Sequence, residues 1–151
     1  MGLIRRLLLF ELGALVGMIV AAAFFKRVVR SRGDAESDEL ALVAILDGVE
    51  LESRARAFRG GSMLAWFGGI DVDLSGAELA DGAHLSVHAL FGGIDVTTPP
   101  GWRIESGVRT FAGGIDARGE ADPAAPVLTL DGMAVFGGID VSPARGVPRD
   151  D

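Results

Sequence analysis

The sequence predicts an all-β protein, a short parallel β-solenoid of about five rungs, preceded by one N-terminal transmembrane helix. The solenoid is predicted by a six-residue element, FGGIDV at residues 67–72, whose copies follow one another at intervals of 21, 24, 21 and 24 residues. A fixed period in this range is typical of solenoids, in which each repeat buries its apolar side against its neighbours. Five copies are found, the first of them degenerate, at residues 46–51, 67–72, 91–96, 112–117 and 136–141.

Apolar residues stand two apart on both sides of the glycines, as they do on the buried face of a strand. The pattern shifts by one residue across each Gly-Gly pair, which predicts a bend where glycine tolerates the required backbone angles. Parallel stacking then predicts three inward ladders, formed by Ala65, Phe67, Ile70 and their equivalents in the other copies. A sandwich of hairpins is the alternative, but it would not require the same residue at the same place in every repeat.

The predicted transmembrane helix rests on a long apolar run near the N-terminus. Residues 7–25 are 19 residues whose only charged member is Glu11. At about 1.5 Å per residue, such a helix crosses a bilayer core about 30 Å thick. A secretory signal peptide is the alternative, but an apolar run of this length is long for the apolar core of a signal peptide, which favours a retained anchor. Gly13 and Gly17 form a GxxxG pattern, which indicates helix–helix association.

Composition shifts divide the chain into four segments. Residues 1–32 are the anchor with its basic flanks, residues 33–39 a linker, residues 40–142 the solenoid and residues 143–151 a polar tail. The turns between strands are predicted in the segments rich in Gly, Pro and Asp, at residues 75–82, 98–102 and 118–123.

Charge is unevenly divided along the chain. Residues 1–33 contain six Lys and Arg against one Glu, a net of +5, and the remainder contains 8 Arg against 20 Asp and Glu, a net of −12. More of the basic residues follow the apolar run than precede it, which predicts a single-pass cell-membrane protein with a cytoplasmic C-terminal domain. The basic flank suits membrane lipid headgroups, and the acidic body argues against nucleic acid as a partner.

An acidic residue follows the isoleucine position in every copy. A row of carboxylates suggests calcium as a ligand. The alternative is that these side chains accept hydrogen bonds at the bend or keep the outer face hydrated, and we therefore expect no cofactor. The acidic ladder consists of Glu50, Asp71, Asp95, Asp116 and Asp140.

An apolar residue also stands two positions before the first glycine position of every copy. It alternates with the inward set, so we expect it to point outward as an apolar stripe. Exposed apolar patches usually mark a partner surface, although cover by one of the chain's own connections or by a second sheet is an equal alternative. The stripe consists of Ile45, Trp66, Leu90, Phe111 and Val135.

The residues for catalysis or metal binding are few. The chain has no cysteine and two histidines, His84 and His88, which on one strand would stand about 13 Å apart. That distance is too long for joint metal ligation. The Gly-Gly pairs are followed by Ile-Asp and not by the Lys-Ser or Lys-Thr of a phosphate-binding loop. We therefore expect a protein that is not an enzyme.

The repeats resemble a known family. Residues 63–75 and 90–103, with the run FGGIDVTTPPGWR at residues 91–103, are similar to the C-terminal domain of LiaF-like proteins, the bacterial cell wall-active antibiotics response proteins. The likeness covers roughly residues 60–142. It implies a membrane-tethered β-solenoid that restrains a sensor histidine kinase of the envelope-stress response, and it implies no catalytic residues. The better-known relatives carry several membrane-spanning helices before this domain, whereas this chain shows one.

Two functions are therefore expected from the sequence. The first is a membrane-anchored protein-binding module that regulates the envelope-stress or cell-wall antibiotic response through a membrane protein partner. The second is a bactofilin-like scaffold, a homo-oligomer that assembles through the open ends of the solenoid.

Overall fold

The computed structural model describes residues 16, 17, 20 and 34–145. Val16, Gly17 and Val20 are helical, and apart from its chain neighbours and the backbone of its own helix, a Cβ added at Gly17 would meet no atom of the described residues within 4 Å. Among the described residues, no helix is both long and apolar enough to span a membrane. The rest of the predicted transmembrane segment, with Gly13, lies outside the described residues, as does most of the predicted tail.

The strands form a β-solenoid of about four turns. All pairings between the strands are parallel. The strands are β1 (Glu39–Ile45), β2 (Gly48–Glu52), β3 (Phe58–Trp66), β4 (Gly69–Asp73), β5 (Leu79–Leu90), β6 (Gly93–Thr98), β7 (Arg103–Ser106), β8 (Arg109–Phe111), β9 (Gly114–Ala117), β10 (Val127–Val135) and β11 (Gly138–Pro143).

Each repeat contributes one layer to two sheets that face each other. The first sheet has the order β1-β3-β5-β10-β7, with β8 also paired to β10, and the second has the order β2-β4-β6-β11-β9. The fifth repeat in the chain (β10 and β11) therefore lies between the third (β5 and β6) and the fourth (β7, β8 and β9). Each repeat packs against neighbouring repeats, as expected, but the order of the repeats in the stack differs from their order in the chain.

The core lies between the two sheets, where the alternation of apolar residues places it. Two of the three predicted ladders are buried in the middle layers. The alanine ladder includes Ala65 and Ala89, both fully buried, and the isoleucine ladder includes Ile70, Ile94 and Ile139, with at most 2% of their surface exposed. In the fourth repeat, which ends the stack, the equivalent Thr110 is exposed and Ile115 is half-buried.

Each repeat passes from the first sheet to the second at a corner, and the backbone there differs from the prediction. The residue in the left-handed region is the one before the Gly-Gly pair, and not a glycine. Its φ lies between 48° and 55° in all five repeats, at Leu46, Phe67, Phe91, Ala112 and Phe136.

The first glycine of each pair is needed because neighbouring layers approach closely. A Cβ at Gly92 would lie 2.2 Å from the carbonyl oxygen of Gly68, and a Cβ at Gly68 would lie 2.2 Å from that of Asp47. Among the described strands, β2 ends its sheet on that side. Asp47 can therefore carry a side chain where the other repeats have glycine, which explains the degenerate first copy.

The interval between the second and third copies is 24 residues, three more than the interval before it, and the extra residues lie in β5. The register between β3 and β5 pairs Phe58 with Leu79 and then Gly60 with His84, so β5 carries three more residues than β3 at this irregularity. Residues 79–82, predicted as part of a turn, accordingly belong to β5. Of the predicted turn at residues 98–102, residues 99–102 connect β6 to β7, and Thr98 is the last residue of β6.

Two further boundaries differ slightly from the prediction. The solenoid begins at Glu39, one residue before its predicted start, and ends at Pro143, one residue after its predicted end. Pro143 pairs in register with Thr98.

Candidate functional site

Three corner phenylalanines and one that directly precedes a corner form an exposed stack, which we call the aromatic ladder: Phe67, Phe91, Phe136 and Phe111. Ring centroids are 4.9 Å apart for Phe67 and Phe91, whose rings are nearly parallel at 3°, and 5.1 Å apart for Phe91 and Phe136. Phe111, in the last layer, meets Phe136 edge to face at 6.0 Å. Between 38% and 66% of each residue is exposed. The ladder therefore runs across four layers as a continuous apolar ridge.

The prediction of an inward phenylalanine ladder is wrong, and the corner explains why. The alternation of inward and outward side chains holds only while the backbone is extended. The left-handed conformation at Phe67 and its equivalents ends the alternation one residue before the glycines. The shift of parity seen in the sequence was the available signal, but it did not show on which residue the bend falls.

The apolar stripe is assembled as predicted, with unequal exposure. The register pairs Ile45 with Trp66, Trp66 with Leu90, Leu90 with Val135 and Val135 with Phe111. Ile45 is buried, with 6% exposed, and therefore does not point into solvent as expected, whereas Phe111 is 66% exposed and belongs also to the aromatic ladder. Trp66, Leu90 and Val135 are intermediate. The stripe lies beside the ladder, since the rings of Trp66 and Phe67 are 6.2 Å apart.

The acidic ladder is also in register, on the outer face of the second sheet. Glu50 pairs with Asp71, Asp71 with Asp95, Asp95 with Asp140 and Asp140 with Asp116. Neighbouring members therefore stand one strand spacing apart, about 4.8 Å. Most of these residues are exposed, and Asp140 and Asp116 are half-buried.

Only the last members of the acidic ladder have side-chain partners within residues 34–145. The guanidinium of Arg118 donates to both carboxylate oxygens of Asp116, and this hydrogen bond lowers the pKa of Asp116. The hydroxyl of Ser142 donates to Asp140 at 2.9 Å. Burial, followed by repulsion from Asp140 and Asp71, raises the pKa of Asp95. Within residues 34–145, the middle of the ladder is therefore a row of crowded carboxylates with no salt-bridge partner.

The two histidines of the first sheet have separate polar neighbours. Nε2 of His84 lies 3.2 Å from a carboxylate oxygen of Asp131, while Nε2 of His88 lies 3.3 Å from the hydroxyl of Ser86. Asp131 is thus next to His84, whereas Ser86 is next to His88, so the three residue types do not form one chain of contacts. In the part of the chain that the structure describes, no group of three or more His, Cys, Asp or Glu could hold a metal ion.

Comparisons of the chain with family models, with curated proteins and with solved structures find no match.

Proposed function

We propose that this protein is a membrane-tethered, non-catalytic binding module whose aromatic ladder contacts a partner protein. The observation that carries the proposal is the exposed stack of Phe67, Phe91 and Phe136 along one corner of a rigid solenoid. Contiguous apolar surface of this kind is typical of interaction sites. Aromatic residues are also the side chains most enriched at the energetic centres of protein interfaces.

The backbone at the ladder adds support. Left-handed backbone costs a residue other than Gly, Asn or Asp about 1–2 kcal/mol, and Phe67, Phe91 and Phe136 all adopt it. Ring stacking between neighbours returns about 0.5–1.5 kcal/mol per pair, so it offsets only part of this cost. A glycine at the same place would avoid the strain, and bulky rings at a strained, exposed corner are consistent with a functional role.

The biological setting follows from the resemblance of residues 60–142 to the LiaF-like family. We propose a regulator of the envelope-stress or cell-wall antibiotic response whose partner is a sensor histidine kinase in the same membrane. The apolar run at residues 7–25 would hold the solenoid beside that kinase. The solenoid would act by occupying a surface of the kinase and not by chemistry.

Crosslinking and pull-down from native membranes tests this function. The full chain is compared with a triple variant, Phe67→Ser, Phe91→Ser and Phe136→Ser. The matched control is Met133→Ser, which removes an apolar side chain of similar exposure, 43%, outside the ladder. The expected result is that the triple variant loses a specific membrane partner while the control retains it.

Two results would contradict the proposal. A partner set unchanged by the triple variant would show that the ladder is not the binding surface. Capture dominated by further copies of this chain, in both variants, would instead indicate the self-assembling scaffold.

A further inference from the structure

The aromatic and acidic ladders border one stretch of surface from which side chains are absent. In the second repeat, the residues between exposed Phe67 and exposed Asp71 are Gly68, Gly69 and the buried Ile70. The third and fifth repeats have the same sequence at this place. Between the two ladders the surface is therefore bare backbone, and we call this strip the glycine trough.

The glycine trough is a shallow depression that spans several layers. One part is lined by Gly48, Gly69, Glu50, Asp71 and Asp95. Another part is lined by Gly93, Gly138 and Gly114 with the carboxylates of Asp95, Asp140 and Asp116. The acidic ladder thus forms one wall of the trough along its length.

The dimensions of the trough match those of an α-helix. The two ladders are four residues apart along the chain, from the corner into the second sheet, which is at most about 14 Å between Cα atoms. A helix with its side chains is about 10–12 Å wide. Five layers cover about 19 Å, which corresponds to about 13 residues of helix.

The two walls differ in chemistry, and this difference specifies the occupant. One wall is a row of phenylalanine rings, and the other is a row of carboxylates in which Glu50, Asp71 and Asp95 have no cationic partner within residues 34–145. Like charges in register repel one another, and a row of cations on a partner would relieve that repulsion. A segment complementary to both walls is apolar on one side and basic on the other.

We propose that the glycine trough binds a basic amphipathic helix of the partner protein. The helix lies along the solenoid, with its apolar side on the aromatic ladder and its Lys and Arg side chains on the acidic ladder. This mode is helix-in-groove recognition, with charge complementarity that fixes orientation and partner choice. The inference rests on the proposed function, because it specifies the chemistry of the partner that the ladder contacts.

A synthetic peptide tests the inference with the full chain in nanodiscs of zwitterionic phosphatidylcholine. The probe is a fluorescein-labelled peptide of about 13 residues, with Leu and Lys spaced to form opposite faces of a helix. A peptide of the same composition in scrambled order has equal charge but no amphipathic face. Binding is followed by fluorescence anisotropy, and the signal from empty nanodiscs is subtracted.

Two variants separate the contributions of the walls. Asp71→Asn with Asp95→Asn is expected to weaken binding about tenfold at low salt and to flatten its salt dependence. Phe67→Ser with Phe91→Ser is expected to weaken binding by a similar factor and to leave the salt dependence intact. The charge-matched control is Glu78→Gln with Asp81→Asn, two exposed acids outside both ladders, one just before β5 and one near its start, which is expected to bind as the unmodified chain does.

The inference is overturned if the scrambled peptide binds as tightly as the amphipathic one, because binding would then depend only on the net charge of the peptide. It is also overturned if the aspartate and control variants behave alike. The triple phenylalanine variant could lose its partner in native membranes while neither the aspartate variant nor the double phenylalanine variant changes the affinity for the peptide. In that case the proposed function stands, and the inference of a basic helical partner is overturned. Circular dichroism of every variant confirms that each retains the fold.

Discussion

The two glycines of one corner offer a sharp test of the stacking, because they are adjacent in the chain and differ in what surrounds them. A Cβ at Gly92 would lie 2.2 Å from the carbonyl oxygen of Gly68, whereas a Cβ at Gly93 would lie 3.9 Å from that of Gly138. Neither glycine has a positive φ. Gly92→Ala and Gly93→Ala therefore add the same methyl group to the same corner, but only the methyl group at position 92 collides with a neighbouring backbone oxygen.

The expected magnitudes follow from these distances. In Gly92→Ala the methyl carbon would be more than about 1 Å inside ordinary contact with a backbone oxygen that cannot rotate away. Forcing such a group into packed structure costs about 1–3 kcal/mol. The displaced oxygen also accepts the N–H of Gly93 at 3.1 Å, and weakening this hydrogen bond costs about 0.5–1.5 kcal/mol. The free energy of unfolding should fall by about 3 kcal/mol.

The assay is urea denaturation of the full chain in a non-ionic detergent, followed by tryptophan fluorescence. Trp102 is a suitable reporter because it is buried and stacks on Phe58, with ring centroids 6.4 Å apart. Gly93→Ala should stay within about 1 kcal/mol of the unmodified chain, because alanine at a compatible backbone position restricts the unfolded state. Equal destabilisation by Gly92→Ala and Gly93→Ala would refute the close approach of the layers.

Three further predictions follow from the core, the acidic ladder and the order of layers. Ile94→Asp places an unpaired charge at a fully buried position, so circular dichroism should show loss of the strand signal; a cooperative native transition would contradict this. Burial and neighbouring carboxylates raise the pKa of Asp95 above its ordinary 3.8, so the stability that its protonated form contributes is complete below pH 3.8 and is lost as the pH rises through the raised value. Asp95→Asn should therefore raise the urea midpoint at neutral pH and reduce the gain in midpoint that protonation of Asp95 gives on acidification. Asp116→Asn should lower the urea midpoint at neutral pH, because the pKa of Asp116 is lowered. Equal changes in the midpoint for both variants would argue against the crowding of carboxylates around Asp95. Finally, since the chain has no cysteine, Asp95→Cys with Asp140→Cys should form a disulfide on mild oxidation, because one layer is about 4.8 Å. Asp95→Cys with Asp116→Cys should not, because two layers exceed the reach of a disulfide, and thiol titration distinguishes the pairs.

The strands and the core could be predicted from the sequence because alternation alone determines which side chains face inward. The buried positions of Ala89, Ile94 and Val96 could be predicted from the alternation of apolar residues on each side of the glycines. The corner could not be predicted in this way. Phenylalanine is a poor choice for left-handed backbone, so the positive φ at Phe91 contradicts the local preference that favoured the glycines for this conformation. The exposed aromatic ladder, and with it the candidate binding surface, depends on that one torsion angle.

The order of the layers could not be predicted for a different reason, which lies in the repeats themselves. In-register parallel pairing joins backbone groups, and nearly identical corners can stack in any order. Burial can decide between the orders, because an interior layer has neighbours on both sides and a terminal layer has only one. The fifth repeat buries Leu128, Leu130 and Ile139, with at most 2% exposed. The fourth repeat has Thr110 in place of the buried alanine, and Arg118 paired with Asp116 on its outer face. Placing the more apolar repeat inside and the more polar one at the end buries more apolar surface than chain order would, and this difference favours the insertion of the last repeat between the third and the fourth.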